Sequence, residues 1–130
     1  MKKTALGVIA LLGALAVVLG AFASHGLKAS LEAEQLNSFQ TGIRYQFYHV
    51  FFLFVVYLLP GISEKTKSLI YRLVLVGLLL FSGSIYLLST KAVTGIDISA
   101  VGWITPIGGS LLIIAWFVLA FRYFSSKSHT

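Results

Sequence analysis

The chemistry open to this chain rests on few residues. His25, Tyr45, Gln46, His49, Ser82, Ser84, Tyr86 and Thr105 stand inside long charge-free stretches, with Arg44 bordering one of them. Polar side chains are costly in such stretches if lipid surrounds them, so they normally face a bundle interior or another protein. On a helix, Tyr45 and His49 lie four residues apart and Gln46 and His49 three apart, so one face carries all three. Two readings stay open. The hydroxyls, amide and imidazoles bond helices together while Tyr and Trp form an interfacial belt. Alternatively, His25 and His49 form a proton-responsive or ligand-binding pair, because imidazole titrates near physiological pH and also ligates metals.

Other chemistries lack their parts. The chain has no cysteine, which removes disulfides, thiolate metal sites and thiol nucleophiles together. No paired-histidine helix motif and no carboxylate lies inside an apolar stretch, and His129 sits in a polar tail. Ser24 and His25 are adjacent, with no orienting acid and no nucleophile turn. No glycine-rich loop follows a strand, so a phosphate loop is not expected. The expectation is therefore no enzyme, no cofactor and no metal.

The elements that position these residues are membrane spans. Charge-free runs at 4–27, 45–63, 73–90 and 98–121 are 24, 19, 18 and 24 residues long. A hydrocarbon core needs about 20 apolar residues per helical crossing. With 58% hydrophobic residues, 11% charged residues and a mean hydropathy of +0.92, too little polar surface remains to solvate a 14.1 kDa globule. The expected architecture is all-α, a four-span transmembrane helix bundle over residues 1–130. Its spans fall near 4–24, 45–60, 69–90 and 101–122, with an outer amphipathic helix between the first two. Arg44 and Arg72 are close enough to span ends to snorkel. The net charge of +6 is scattered through caps and loops, which speaks against nucleic acid as a partner.

Lys2 and Lys3, the apolar residues 5–20 and the small-x-small tripeptide Ala21-Phe22-Ala23 also fit a cleaved secretory signal. Retention as a first span is preferred, because the apolar stretch is long for a signal. Alternating sides then place Lys2, Lys3, Lys65, Lys67, Arg72, Arg122 and Lys127 together, seven cations against Lys28, Arg44 and Lys91. That asymmetry predicts a multi-pass inner-membrane protein with both termini cytoplasmic, and the polar cluster in the outer half.

Leu36, Phe39, Ile43, Phe47 and Val50 step by three or four and make one apolar stripe. They predict either an amphipathic interfacial helix running into the second span, N-capped by Ser30, or simply a polar lead-in to that span. Pro60-Gly61 ends the span, and 62–68 reads as a short cytoplasmic turn. An outer turn over 90–99 carries Gly95 and Asp97. Close packing is offered by Ala10 and Ala14, Ala16 and Gly20, Thr105 and Gly109, with Gly77, Gly83 and Ser84 as a further patch. These serve packing within the chain or a homo-oligomeric face. Pro106 falls in the first turns of the fourth span, where a missing amide donor costs least.

Four segments carry a family resemblance: residues 20–28 (GAFASHGLK), 39–49 (FQTGIRYQFYH), 81–87 (FSGSIYL) and 102–109 (GWITPIGG). In order and in combination, they resemble the domain-of-unknown-function family 423, also catalogued as uncharacterised protein family 0382. That family comprises small four-span membrane proteins related to eukaryotic transmembrane protein 256. The resemblance implies that the GAFASH segment is retained. It also singles out Lys28, Arg44, Tyr45, Gln46, His49, Ser82, Ser84, Tyr86, Thr105 and Pro106. Ala23 and Ser24 depart from the glycine and alanine common there, which argues against a strict role for Ser24. The resemblance implies no activity.

The sequence thus favours an accessory or structural component of a larger membrane protein assembly, or of a homo-oligomer, in contact with membrane lipids. Lys28, Arg44 and Trp103 are its candidate lipid or partner contacts. The alternative is a membrane-embedded binder or transporter of a lipid or small solute acting through the outer polar cluster. A transporter would normally show broken helices or midplane charges, and only Gly83 and Pro106 suggest irregularity.

Overall fold

The computed structural model describes residues 2–125; Met1 and the tail that carries Lys127 and His129 lie outside the described residues. Within them the chain is all-helical, with no strand. Helix α1 (Lys2–Phe22) runs on through a π-helical turn (Ala23–Leu27), and α2 covers Ala33–Leu58. A tight turn leads to α3 (Glu64–Ser89), followed by the short α4 (Lys91–Thr94), a 3-10 turn (Ser99–Val101) and α5 (Ile104–Ser125). Each long helix packs chiefly on its neighbour in the order α1, α2, α3, α5.

Three helical stretches are long and apolar enough to cross a membrane by length and composition: Lys2–Leu27, Glu64–Ser89 and Ile104–Ser125. Helix α2 matches them in length, but Glu34, Gln35, Asn37, Ser38, Gln40, Thr41 and Arg44 make its first half polar. No separate interfacial helix exists, because the stripe from Leu36 to Val50 continues without a break into Leu53 and Val56. That stripe packs inward instead of lying on a membrane surface. Phe39 and Ile43 are buried with Ala16, Ala23, Leu27 and Leu31, and Leu36 and Phe47 flank them. Ser30 is not the N-cap. The helix starts after Glu32, and the amide of Ser30 instead bonds the Leu27 carbonyl at 3.0 Å.

The turn after α2 is shorter than expected. Gly61 adopts a left-handed φ of 77°, and the Ser63 hydroxyl accepts from the Thr66 amide at 3.1 Å, so 64–68 are already helix. Lys67 is consequently buried, its ammonium 3.2 Å from the Tyr57 carbonyl at the end of α2 and 3.7 Å from Glu64. At this end of the molecule Ile9, Leu53, Val56, Ile70 and Val74 form a fully buried aliphatic core.

Packing by small residues falls elsewhere than their spacing suggested. Ala10 and Ala14 are exposed, and a Cβ on Gly20 would meet nothing within 4 Å, whereas Ala16 is fully buried. Helices α3 and α5 meet backbone to backbone. A Cβ on Gly108 would collide with the Phe81 amide nitrogen, and one on Gly77 would stand 2.8 Å from Leu112. Gly83 has no such contact, while Gly109 packs on the Phe81 ring.

Candidate functional site

The predicted polar residues separate into three contacts between helices, set by the antiparallel register of α2. Ser82 donates to the Gly42 carbonyl at 2.8 Å, and the Gln46 amide donates to the Leu12 carbonyl at 2.7 Å. These two bonds fix the heights of α3 and α1 against α2.

The first contact surrounds Gln46, which is 3% exposed. Its Nε2 reaches α1, while its Oε1 accepts from the Tyr86 hydroxyl of α3 at 2.6 Å, so one amide links three helices. Side chains on a helix lean toward its N-terminus. On antiparallel helices Tyr86 and Gln46 therefore lean toward each other. The Tyr86 ring crosses the backbone of Gly42, where a Cβ would come within 2.6 Å of it, and packs at a tilt against Phe39 with centroids 5.0 Å apart. Glycine at 42 is what lets the ring lie flat there.

The second contact is His49, also 3% exposed. Its Nδ1 lies 2.7 Å from the Tyr45 carbonyl, and its Nε2 lies 3.1 Å from the Trp116 indole nitrogen. A carbonyl only accepts and an indole N–H only donates. The imidazole is therefore assigned as the neutral tautomer protonated at Nδ1, with both nitrogens committed. Phe52 stacks on Trp116 with centroids 4.0 Å apart and completes the enclosure.

The third contact joins α3 to α5, with the Ser84 and Thr105 hydroxyls 2.6 Å apart and Ser84 also donating to the Phe81 carbonyl at 2.9 Å. Among the described residues, no sealed side-chain nitrogen or oxygen lacks a hydrogen-bond partner. Such a set of contacts fixes helix rotation and height.

Several expected members lie apart. His25 sits exposed on the π-helical turn, thirteen residues beyond Leu12, which is roughly 20 Å along the axis. A His25–His49 pair is thereby excluded. Tyr45 contributes its carbonyl; its half-exposed ring rests 5.1 Å from Phe81. Arg44 points outward, bonded to Thr41 Oγ1 at 2.8 Å, eleven residues into α2. Lys28 and Trp103 are exposed near the end of the molecule opposite the α2–α3 turn. Trp116 and the carbonyls of Leu12 and Gly42 went unforeseen. The indole had a signal, since a Trp in mid-span, away from either interfacial belt, needs a hydrogen-bond acceptor. The carbonyls had none.

A family model described as a protein of unknown function, DUF423, matches residues 19–109. A UPF0382 membrane protein of Haemophilus influenzae is 43% identical over 128 residues, covering 98% of this chain and 99% of that protein. The Bacillus subtilis UPF0382 membrane protein YwdK is 41% identical over 109 residues, 81% of this chain and 83% of its own. A UPF0382 membrane protein of Staphylococcus saprophyticus is 38% identical over 121 residues, 90% and 97% respectively. No solved structure matches the chain. The four signature segments, the helices that carry them and these relatives agree: the chain belongs to the DUF423 family of membrane proteins, a family of unknown function.

Proposed function

We propose that this protein is a four-span accessory or structural component of a larger inner-membrane assembly, with both termini cytoplasmic. The observation that carries the reading is the outward face of α2. Arg44 lies between Gly42 and Gln46, whose bonds set it level with Leu12 on α1 and Ser82 on α3. Near that height α1 turns Leu11 and Leu15 outward and α3 turns Leu79 outward, as surfaces against acyl chains do. Helix α2 turns out Arg44, with the exposed Asn37 two turns along the same face.

A charged side chain at mid-membrane costs at least about 2.5–3.5 kcal/mol, and the single bond to Thr41 uses one of five guanidinium donors. A neighbouring subunit that presents a carboxylate or a polar helix face removes that cost. Two further features agree with a partner. The 26 residues of α2 reach about 39 Å, enough to cross beside α1. On α1, Gly7, Ala10 and Ala14 leave a narrow outward face that another helix can approach closely. The reading assigns no catalytic residue.

The test is purification of tagged protein from its native membrane in mild detergent, with quantitative mass spectrometry. Wild type is expected to retain a protein partner, or a second copy of itself, at a fixed ratio. Arg44→Gln should lose most of that partner while its thermal stability stays within about 0.5 kcal/mol of wild type, as for surface substitutions generally. Wild type that purifies alone would sink the assembly reading. A second reading, a binder or transporter of a lipid or small solute, is favoured by a cleft of about 400 Å³ lined in part by Glu34, Gln35, Ser38, Ser89 and Thr105. A stoichiometric small molecule without a protein partner would support it.

A further inference from the structure

At the opposite end of the molecule, the start of α1, the end of α2 and the start of α3 enclose a cleft of about 490 Å³. Its rim carries Lys2, Lys65 and Arg72, and its floor is formed by Ala5 and the rings of Tyr57 and Tyr71. None of the three cations pairs with a carboxylate among the described residues. The one acid in the wall, Glu64, lies 3.7 Å from Lys67. Three positive charges therefore converge on one concavity with a single, already engaged, negative charge.

A second observation points the same way. Tyr57 is only 7% exposed, its ring 6.5 Å from Tyr71 with the Lys67 ammonium 6.0 Å from its centroid. Its backbone carbonyl is occupied by Lys67, yet its hydroxyl has no partner among the described residues and is not sealed by protein. A buried ring that presents an unpartnered O–H to a cationic cleft offers a hydrogen-bond donor to a bound anion. Ser68 and Thr4 line the same space with two more hydroxyls.

We propose that this cleft binds a phosphate-bearing anion, supplied by the headgroup of an acidic phospholipid. Guanidinium and ammonium groups neutralise the phosphate, the Tyr57 hydroxyl donates to one of its oxygens, and the aromatic floor accepts the apolar neck of the lipid. Arg72 and Tyr71 lie two turns inside α3, where a helix leaving the hydrocarbon meets headgroups. The site is independent of the partner face on α2.

The test measures the melting temperature of the full-length protein in neutral detergent, titrated with phosphatidylglycerol, phosphatidylcholine or inorganic phosphate. Phosphatidylglycerol should raise it in a saturable way and phosphatidylcholine should not. Arg72→Gln should weaken the response roughly fivefold, as should Lys65→Gln, since each removes one cation near the headgroup. Tyr57→Phe should weaken it severalfold without changing charge. Arg122→Gln, which removes one cation from the same end but outside the cleft, should leave it intact. If inorganic phosphate alone reproduces the response and competes with the lipid, the anion site stands with free phosphate as its source. Equal responses to phosphatidylglycerol and phosphatidylcholine would overturn the proposal, as would equal losses in Arg72→Gln and Arg122→Gln. Should Arg72→Gln fail to fold, native mass spectrometry of wild type against Tyr57→Phe decides through retention of phosphatidylglycerol.

Discussion

The seam between α3 and α5 and the seam between α1 and α2 hold helices together by different physics. Along α3 and α5, Gly77 and Gly108 bring two backbones into contact, and the Ser84–Thr105 pair pins the same seam near one end. Along α1 and α2, a Cβ on Gly13 would meet the Val50 methyl at ordinary contact distance, and among the described residues the Gln46 amide supplies the one side-chain bond between these two helices. The first seam is specified by shape, which tolerates no added atom. The second combines side-chain packing of Ile9 and Ala16 against α2 with one polar crosslink, and no backbone contact forbids it from adjusting. Helix α1 is in this sense the peripheral helix, packed chiefly on α2, with a small-residue face turned out.

The largest expected effect breaks the shape-specified seam. Gly108→Ala places a methyl where backbone atoms of Leu80 and Phe81 already stand, and neither can rotate away as a side chain would. Overpacking of this kind costs up to about 3 kcal/mol, and thermal unfolding in detergent should show most of it. Gly7→Ala is the matched control. Its methyl meets nothing, and the helix propensity of alanine should leave stability unchanged or raised by roughly 0.5–1 kcal/mol. Equal effects of the two would erase the distinction between the seams.

A smaller effect sharpens the other side of the comparison. Gln46→Met keeps the volume but strands the Tyr86 hydroxyl and releases the Leu12 carbonyl, for a loss of about 1–2 kcal/mol. The loss should localise to α1. An Ala16→Cys thiol, buried against α2 in wild type, should react faster with a maleimide in the Gln46→Met background, while a thiol at Leu112→Cys should not. Uniform acceleration at both positions would mean that the two seams unfold as one.

The smallest effect lies outside both seams, in the connection before α5. Asp97 accepts from the hydroxyl and amide of Ser99 and pairs with Lys91 at 3.0 Å, which holds its carboxyl down at about 2. An unfolded aspartate titrates near 3.9. The folded value is the lower one, so the loop's ordering is fully present above about pH 4 and fades as pH falls toward 2. Protection of the Ser99 amide, bonded at 2.9 Å, should decline over that window by hydrogen exchange while α3 and α5 keep theirs.

Much of α2 was legible because it writes its buried face as a three-four repeat, whereas α1 and α5 are apolar all round and do not. Phe39, Ile43, Val50 and the burial of Gln46 and His49 all follow from that repeat and from the cost of polar groups in lipid. Periodicity says which way a side chain points around its own axis. It does not say how high one helix stands against the next. Gln46 therefore looked like an outer-end residue, although its partner Leu12 sits near the middle of α1. Carbonyl acceptors such as Leu12 and Gly42 leave no residue signature at all, and the burial of Lys67 became visible only once Ser63 was seen to cap a helix that starts at Glu64.

The π-helical turn at the end of α1 has a consequence for chain length. An i→i+5 turn holds one residue more than an i→i+4 turn. Ala23 and Leu27 bound it and face the interior, while Ser24, His25 and Gly26 bulge outward. Deleting one of those outward residues would convert the wide turn to an ordinary one and keep its two buried ends on the same face. This segment can therefore absorb the gain or loss of a residue without re-registering α1 on α2, a place for variation in length even within a stretch that marks the family.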